Sequence, residues 1–116
     1  MTASISRLVV SVSALGPALA FYQELLGLRL TRSAGDLAWL VTADGIEVML
    51  HERPATPSDT AVALSFAVPD LDGTVGAWIT RGGAVVDPPE ERPWGERMAV
   101  VRDPDGHLVC VSQAIG

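Results

Sequence analysis

SVSALGPALAFYQELLGLRL, residues 11–30, decides how this chain is read. Its left end closes an alternating segment, ISRLVVSVS (5–13), with Leu8, Val10 and Val12 on one face and Arg7, Val9, Ser11 and Ser13 on the other. Alternation with period two is the mark of a half-buried strand. Gly16-Pro17 then opens a helix, because proline is tolerated in a first turn where its missing N–H has no partner to lose. Ala18, Leu19, Phe21, Tyr22, Leu25 and Leu26 carry a helical period, and Gly27 is placed to end it as a C-cap. Strands are expected near 28–34, 37–43 and 46–51, punctuated by Ala34-Gly35-Asp36 and Asp44-Gly45.

The same pattern then returns. ERPATPSDT (52–60) has the composition of a linker, which puts a first module over about 1–52, the linker over 53–60 and a second module over about 61–116. AVALSFAV (61–68) reads as a strand, Asp70 and Asp72 offer N-cap oxygens to a helix through Trp78 and Ile79, and Gly82-Gly83 stops it. Ala84-Val85-Val86 reads as a strand, DPPEERPWGE (87–96) as a long loop, and RMAVVRD (97–103) and HLVCVS (107–112) as strands about a DPDG turn. Setting the halves 56 residues apart pairs Val12 with Val68, Leu19 with Val75, Tyr22 with Trp78 and Gly27 with Gly83. Further on the offset grows to about 63, placing Ile46-Glu47-Val48 on Val109-Cys110-Val111, with the extra residues assigned to the loop around Trp94. Each half is β-α-β-β-β, so the fold class is α+β, two such modules in tandem. Neither can bury both faces of its sheet alone, so the sheets are expected to pair or curl around a shared cleft.

Composition narrows the partners. The 116 residues make one domain, and 48% apolar against 19% charged residues suffices for a core. A net charge of −6 argues against nucleic acid, whose phosphates demand basic side chains, and against an anionic membrane surface. A neutral or cationic small molecule is the easier partner. All 8 basic residues are Arg and there is no Lys or Asn, as a GC-rich bacterial genome would encode. The single Cys110 cannot form an internal disulfide, which fits a reducing cytoplasm. The first residues lack the charged and apolar regions of a signal peptide, and no apolar run approaches the ~20 residues of a membrane span.

Residues 11–30 and ERPWGERMAVVRDPDGHLVCV (91–111) together resemble the vicinal oxygen chelate superfamily: glyoxalase I, extradiol dioxygenases, and fosfomycin- and bleomycin-resistance proteins. The second segment is most similar to the ending of bleomycin-resistance proteins. The resemblance implies two βαβββ modules forming a cupped mixed sheet, a homodimer, and sequestration of a drug-like or secondary-metabolite molecule, as in antibiotic resistance. The superfamily's metal enzymes place ligands on the first and last strand of each module, points that fall here at about Arg7, Glu47, Ala63 and Cys110. Only Glu47 is an ordinary hard-metal ligand. Arg7 cannot be deprotonated and Ala63 has no donor atom. His51 shares the face of Glu47 and Met49, so Glu47, His51 and Cys110 are what a metal-dependent lyase, isomerase or dioxygenase would have to use. The incomplete set favours a protein with no cofactor; one divalent ion is the alternative.

Strand faces give an independent reading. Val9 and Ser11, then Ala61, Ala63, Ser65 and Ala67, and finally Cys110 and Ser112 are small side chains opposite the bulky helix-facing rows. Small residues facing a core would leave voids, whereas small residues lining a ligand cleft leave room for the guest. The alternative is that they allow close sheet-to-sheet packing or face solvent. Trp78 is expected in the core, Trp39 at the cleft, and Trp94, with Glu90, Glu91 and Glu96 nearby, as a stacking platform for a cationic or aromatic guest or else a plug at the cleft's end. The expected ligand contacts are therefore Arg7, Val9, Ser11, Trp39, Glu47, Met49, Ala63, Ser65, Trp94, Cys110 and Ser112. Binding alone requires no catalytic residue; in a metal-free tailoring enzyme Glu47 would be the general base. The Asp103–Gly106 carboxylates are expected to cap their turn, His107 to be a hairpin residue and Cys110 to be inert.

Overall fold

The alternation at the start of the chain becomes β1 (Leu8–Val12), with Val10 and Val12 buried and Val9 51% exposed. It is followed by α1 (Leu15–Leu19), which continues as a π-helical segment over Ala20–Leu25. β2 (Arg29–Ala34), β3 (Leu37–Val41) and β4 (Glu47–Glu52) complete the first half. The second half contains β5 (Leu64–Ala67), α2 (Leu71–Thr80), β6 (Val85–Glu91), β7 (Glu96–Arg102) and β8 (Leu108–Ala114). This computed structural model describes residues 1–114. Its two compact units are Met1–Ala55 and the chain from Thr56 onward. Each unit holds one four-stranded mixed sheet, ordered β1-β4-β3-β2 and β5-β8-β7-β6. β1 and β4 run parallel, as do β5 and β8, and the other neighbours are antiparallel. The fold is therefore a tandem pair of βαβββ modules. No helix of the described residues is long and apolar enough to cross a membrane.

Each helix covers one face of its own sheet. In the first unit Ala18, Phe21 and Tyr22 are buried together with Val12, Ala38, Leu40, Val48 and Leu50. The Phe21 and Tyr22 rings meet edge to face, 4.8 Å between centroids. In the second unit Leu71, Val75 and Trp78 are buried with Phe66, Ala99, Val101, Val109 and Val111. Trp78 is a core residue, as its pairing with Tyr22 predicts, and its indole N–H donates to the Arg102 carbonyl at 2.9 Å. Both helices start on a borrowed acceptor at the end of the last strand. Leu15 N–H donates to Glu52 Oε2 at 2.9 Å, and Leu71 N–H donates to Gln113 Oε1 at 2.7 Å. Asp70 adds the expected N-cap, accepting from Gly73 N–H at 3.0 Å.

Register corrects the internal alignment. Thr42 N–H donates to Ile46 O and Gly45 N–H to Thr42 O; Asp103 N–H donates to His107 O and Gly106 N–H to Asp103 O. The two turns are thus superposable 61 residues apart, not 63. Even their side-chain locks correspond, since Thr42 Oγ1 accepts from Ile46 N–H and Asp103 Oδ1 from His107 N–H, both at 2.9 Å. The π-helical segment explains an earlier slip. Tyr22 O accepts from Leu28 N–H, six residues on, while Trp78 O accepts from Gly83 N–H, five residues on. A π turn holds one residue more than an α turn, so beyond it the offset drops to 55 and Gly27 corresponds to Gly82 rather than Gly83. Gly27 and Gly82 accordingly share the left-handed backbone, φ 76° and 84°.

Two segment boundaries also move. Residues 87–91 are not loop: β6 runs through Pro88, Pro89 and the acidic pair to Glu91, and only residues 92–95 form the turn. Proline is permitted there because β6 is an edge strand with no neighbour on its outer side. β5 begins at Leu64, so Ala61, Val62 and Ala63 precede the strand, with Val62 79% exposed. No element takes up the alternation at its polar, proline-flanked left end.

Candidate functional site

In the first unit the face away from the helix is built by strict cross-strand pairing. Val9 lies beside Met49, Met49 beside Trp39 and Trp39 beside Arg32; a second row runs Ser11, His51, Leu37, Ala34. Glu47 pairs with Val41, which pairs with Arg29. Paired residues share a face, so Val9, Ser11, Trp39, Glu47, Met49 and His51 are brought to one open face, and Arg7, one residue before β1, is joined to it by its bond to Glu47. That grouping follows from period two.

The polar side chains of this face are tied to one another. Arg7 Nε donates to Glu47 Oε2 at 2.7 Å. Arg53 Nε donates to Ser11 Oγ at 2.7 Å. His51 Nε2 is 3.2 Å from Asp36 Oδ2. The Arg32 guanidinium carbon stands 4.1 Å from the centroid of the Trp39 ring, a cation–π stack. The sequence reading missed Arg29, Arg32 and Arg53. Arg53 fell in the linker, and a one-residue bulge in β2 hides the facing of the other two. All four Arg of residues 1–55 are on this face or bonded to it. The four carboxylates of that unit other than Glu47 are Glu24, Asp36, Asp44 and Glu52. Asp44 is tied to Thr42 in the β3–β4 turn, and that hydroxyl's hydrogen bond holds its carboxyl below the usual range. Glu52 points to the α1 N-terminus.

The second unit's open face is different. Ser65 pairs with Cys110, Cys110 with Val100 and Val100 with Asp87; Ala67 pairs with Ser112, Ser112 with Met98 and Met98 with Glu90. Ser65, Cys110 and Ser112 are therefore neighbours, as the sequence predicts, but Ala63 lies outside the strand. Burial pushes the Cys110 thiol up, Glu96 adds to that, and Arg92 acts weakly against it. A thiol held protonated is a poor nucleophile and a poor ligand. Trp94 sits in the β6–β7 turn, 65% exposed, its indole N–H donating to Glu96 Oε1 at 2.7 Å. His107 is a turn residue as expected, its Nδ1 accepting from Ser58 N–H at 3.1 Å.

The donor set does not fit a divalent ion. Among the described residues no group of three or more His, Cys, Asp and Glu side chains converges. Glu47 meets a guanidinium, a permanent cation that competes with any metal for the same carboxylate. The corrected register also parts Glu47 from Cys110: the counterpart of Glu47 is Leu108, which has no donor, and that of Cys110 is Met49.

Comparison with known proteins places this geometry. Residues 4–111 match the family model described as Glyoxalase/Bleomycin resistance protein/Dioxygenase superfamily. The chain is 30% identical to a virulence protein of Salmonella typhimurium over 96% of this chain and 84% of that protein. The crystal structure of the same virulence protein superposes with a TM-score of 0.72 at 25% identity, over 99% of both chains. TioX from Micromonospora sp. ML1 gives 0.69 at 25% identity, over 95% of this chain and 99% of TioX. A glyoxalase/bleomycin resistance protein/dioxygenase family enzyme from Burkholderia phytofirmans gives 0.80 at 17% identity, over 97% and 100%, a likeness of fold alone.

Proposed function

The chain belongs to the glyoxalase/bleomycin resistance protein/dioxygenase superfamily, and from that premise we propose that it is a metal-independent binding protein for a small organic molecule. The observation that carries this reading is the Arg7–Glu47 ion pair, 2.7 Å long. It joins the two points of the first module at which the superfamily's metal enzymes present ligands. An arginine at the first of them supplies no lone pair to a metal and already neutralises the carboxylate at the second. What remains is a sheet face with an apolar floor of Val9, Met49, Trp39 and Val41 and a few placed polar groups, the usual make-up of a small-molecule site.

The protein acts in this reading by stoichiometric capture, in the cytoplasm and as a homodimer, and protects its host from a drug-like compound or a secondary metabolite. Trp39 is the natural reporter. Titrating the protein in excess chelator with a library of aromatic natural products, read by tryptophan fluorescence, yields saturable one-to-one quenching that the Trp39→Phe variant loses. Binding that appears only when a divalent metal is restored overturns the proposal.

A further inference from the structure

The β-bulge in β2 sets up an arrangement that the binding reading leaves unused. Arg29 pairs with Val41 and Leu30 with Leu40, but the next partner of β3, Trp39, faces Arg32. Thr31 is the extra residue. Its hydroxyl donates to the Trp39 carbonyl at 3.1 Å, satisfying the rung the bulge disrupts. In a regular strand residues three apart point to opposite faces; here the inserted residue turns both Arg29 and Arg32 onto the open face. Their partners Val41 and Trp39 are two residues apart on one strand, so the arginines are rooted ~7 Å from each other.

Neither arginine has a carboxylate partner among the described residues, whereas Arg7, Arg92 and Arg97 each have one. Two like charges side by side repel, and a chain of net charge −6 has acidic side chains to spare. Protecting an edge strand from pairing needs charge of either sign, and β6, the matching edge, uses Asp87, Glu90 and Glu91. Arg32 also lies over the Trp39 ring, its guanidinium carbon 4.1 Å from the centroid, and a planar guanidinium is a fork suited to a carboxylate. Val41, Met49 and Val9 continue the same face as an apolar floor.

We infer that this bulge builds an oxyanion site: Arg29 and Arg32 grip the carboxylate of a planar aromatic acid whose ring lies on Val41, Met49 and Val9. The inference rests on the reading that this face receives a small molecule, and it reverses the expected charge of the guest. Glu47, the group that favoured a cation, is already matched by Arg7.

Calorimetric titration with 2-naphthoate, 2-naphthamide and 2-naphthylmethylammonium separates the possibilities. The acid binds at least about tenfold more tightly than the amide, the scale of one charge-assisted hydrogen bond. Added salt weakens the acid alone. Arg29→Gln and Arg32→Gln each cost the acid about tenfold and leave the amide unchanged. Arg32→Lys, which keeps charge but not the flat fork, falls between, and Arg81→Gln, the same charge change elsewhere, has no effect. Equal affinity for acid and amide, or indifference of the acid to both glutamines, overturns the oxyanion site and reduces the arginines to edge protection; capture of a neutral guest then still stands. Preference for the ammonium overturns it in favour of a cationic guest. Inorganic phosphate competing as well as naphthoate overturns the aromatic half of the assignment. Failure of all three naphthalenes to bind at millimolar concentration overturns this inference, whereas the capture reading stands or falls on the library titration in excess chelator.

Discussion

The two modules solve the same backbone problem and then part in chemistry. Both start their helix on an acceptor from the last strand, Glu52 in one and Gln113 in the other. Both lock the last hairpin with a side-chain oxygen, Thr42 and Asp103. Both break the register of the second strand with a bulge. Where the first module's bulge carries Arg32 opposite Trp39, the second carries Asp87 opposite Val100. Residues 1–55 hold four Arg against five carboxylates, and the remainder four against nine. The acidity of the chain is thus almost wholly a property of the second module. A duplicated scaffold keeps the groups that satisfy its backbone and is free to change those on its open faces.

The largest expected effects test the shared part. Tyr22→Ala and Trp78→Ala, at equivalent core positions, should each cost about 3–5 kcal/mol in urea unfolding. Trp78→Ala should be the worse, because it also strips the Arg102 carbonyl of its donor. A loss below ~1 kcal/mol at either site would break the correspondence of the two cores. Glycines come next. Gly27→Ala and Gly82→Ala should match at about 1–2 kcal/mol each, the cost of a side chain in left-handed backbone. Gly83→Ala lacks that backbone strain, but its methyl would overlap the Trp78 indole, which its bond to Arg102 holds in place. Overpacking of ~1–3 kcal/mol should follow. If Gly27 behaved like Gly83 instead of Gly82, the one-residue π insertion would be wrong.

Titration probes the second module in two senses. The Asp72–Arg97 pair belongs to the second, and Arg97 holds the Asp72 carboxyl below its ordinary value. A depressed carboxyl stabilises the fold above the unfolded-state value and ceases to do so as pH falls through the folded one. Acid unfolding of Asp72→Asn should therefore lose part of its dependence between those two pH values, measured against the unsubstituted protein. Cys110 works in the opposite sense. Its raised thiol value means stability is complete below the unfolded thiol's value and declines as pH rises through the folded one. Alkylation by iodoacetamide near pH 8 should be slower in the folded protein than in urea; equal rates would deny the burial of the thiol. The smallest effect is expected at Glu47→Gln. The Arg7–Glu47 pair is partly exposed, and its loss should change stability by less than about 1 kcal/mol.

What the sequence revealed follows from the kind of signal each element carries. Alternation and helical period located the strands and helices of both modules, and Tyr22 and Trp78 were paired correctly because no insertion precedes them. The face shared by Arg7, Glu47, Met49 and His51 was legible for the same reason. The π insertion was not, since one extra helical residue leaves the apolar period nearly intact. The continuation of β6 beyond Val86 was hidden by its prolines and glutamates, residues that composition assigns to loops but that an edge strand tolerates. The Arg29–Arg32 pair was invisible because a bulge changes facing without changing composition. Local periodicity is readable; register depends on hydrogen bonds between strands far apart in sequence.

Metal content tests the central claim most directly. The protein and its Glu47→Gln variant are purified without chelator and their divalent metals counted per chain by plasma emission. Far less than one ion per chain is expected in both, with no difference between them. One tightly held ion per chain in the protein, released by Glu47→Gln, would contradict it.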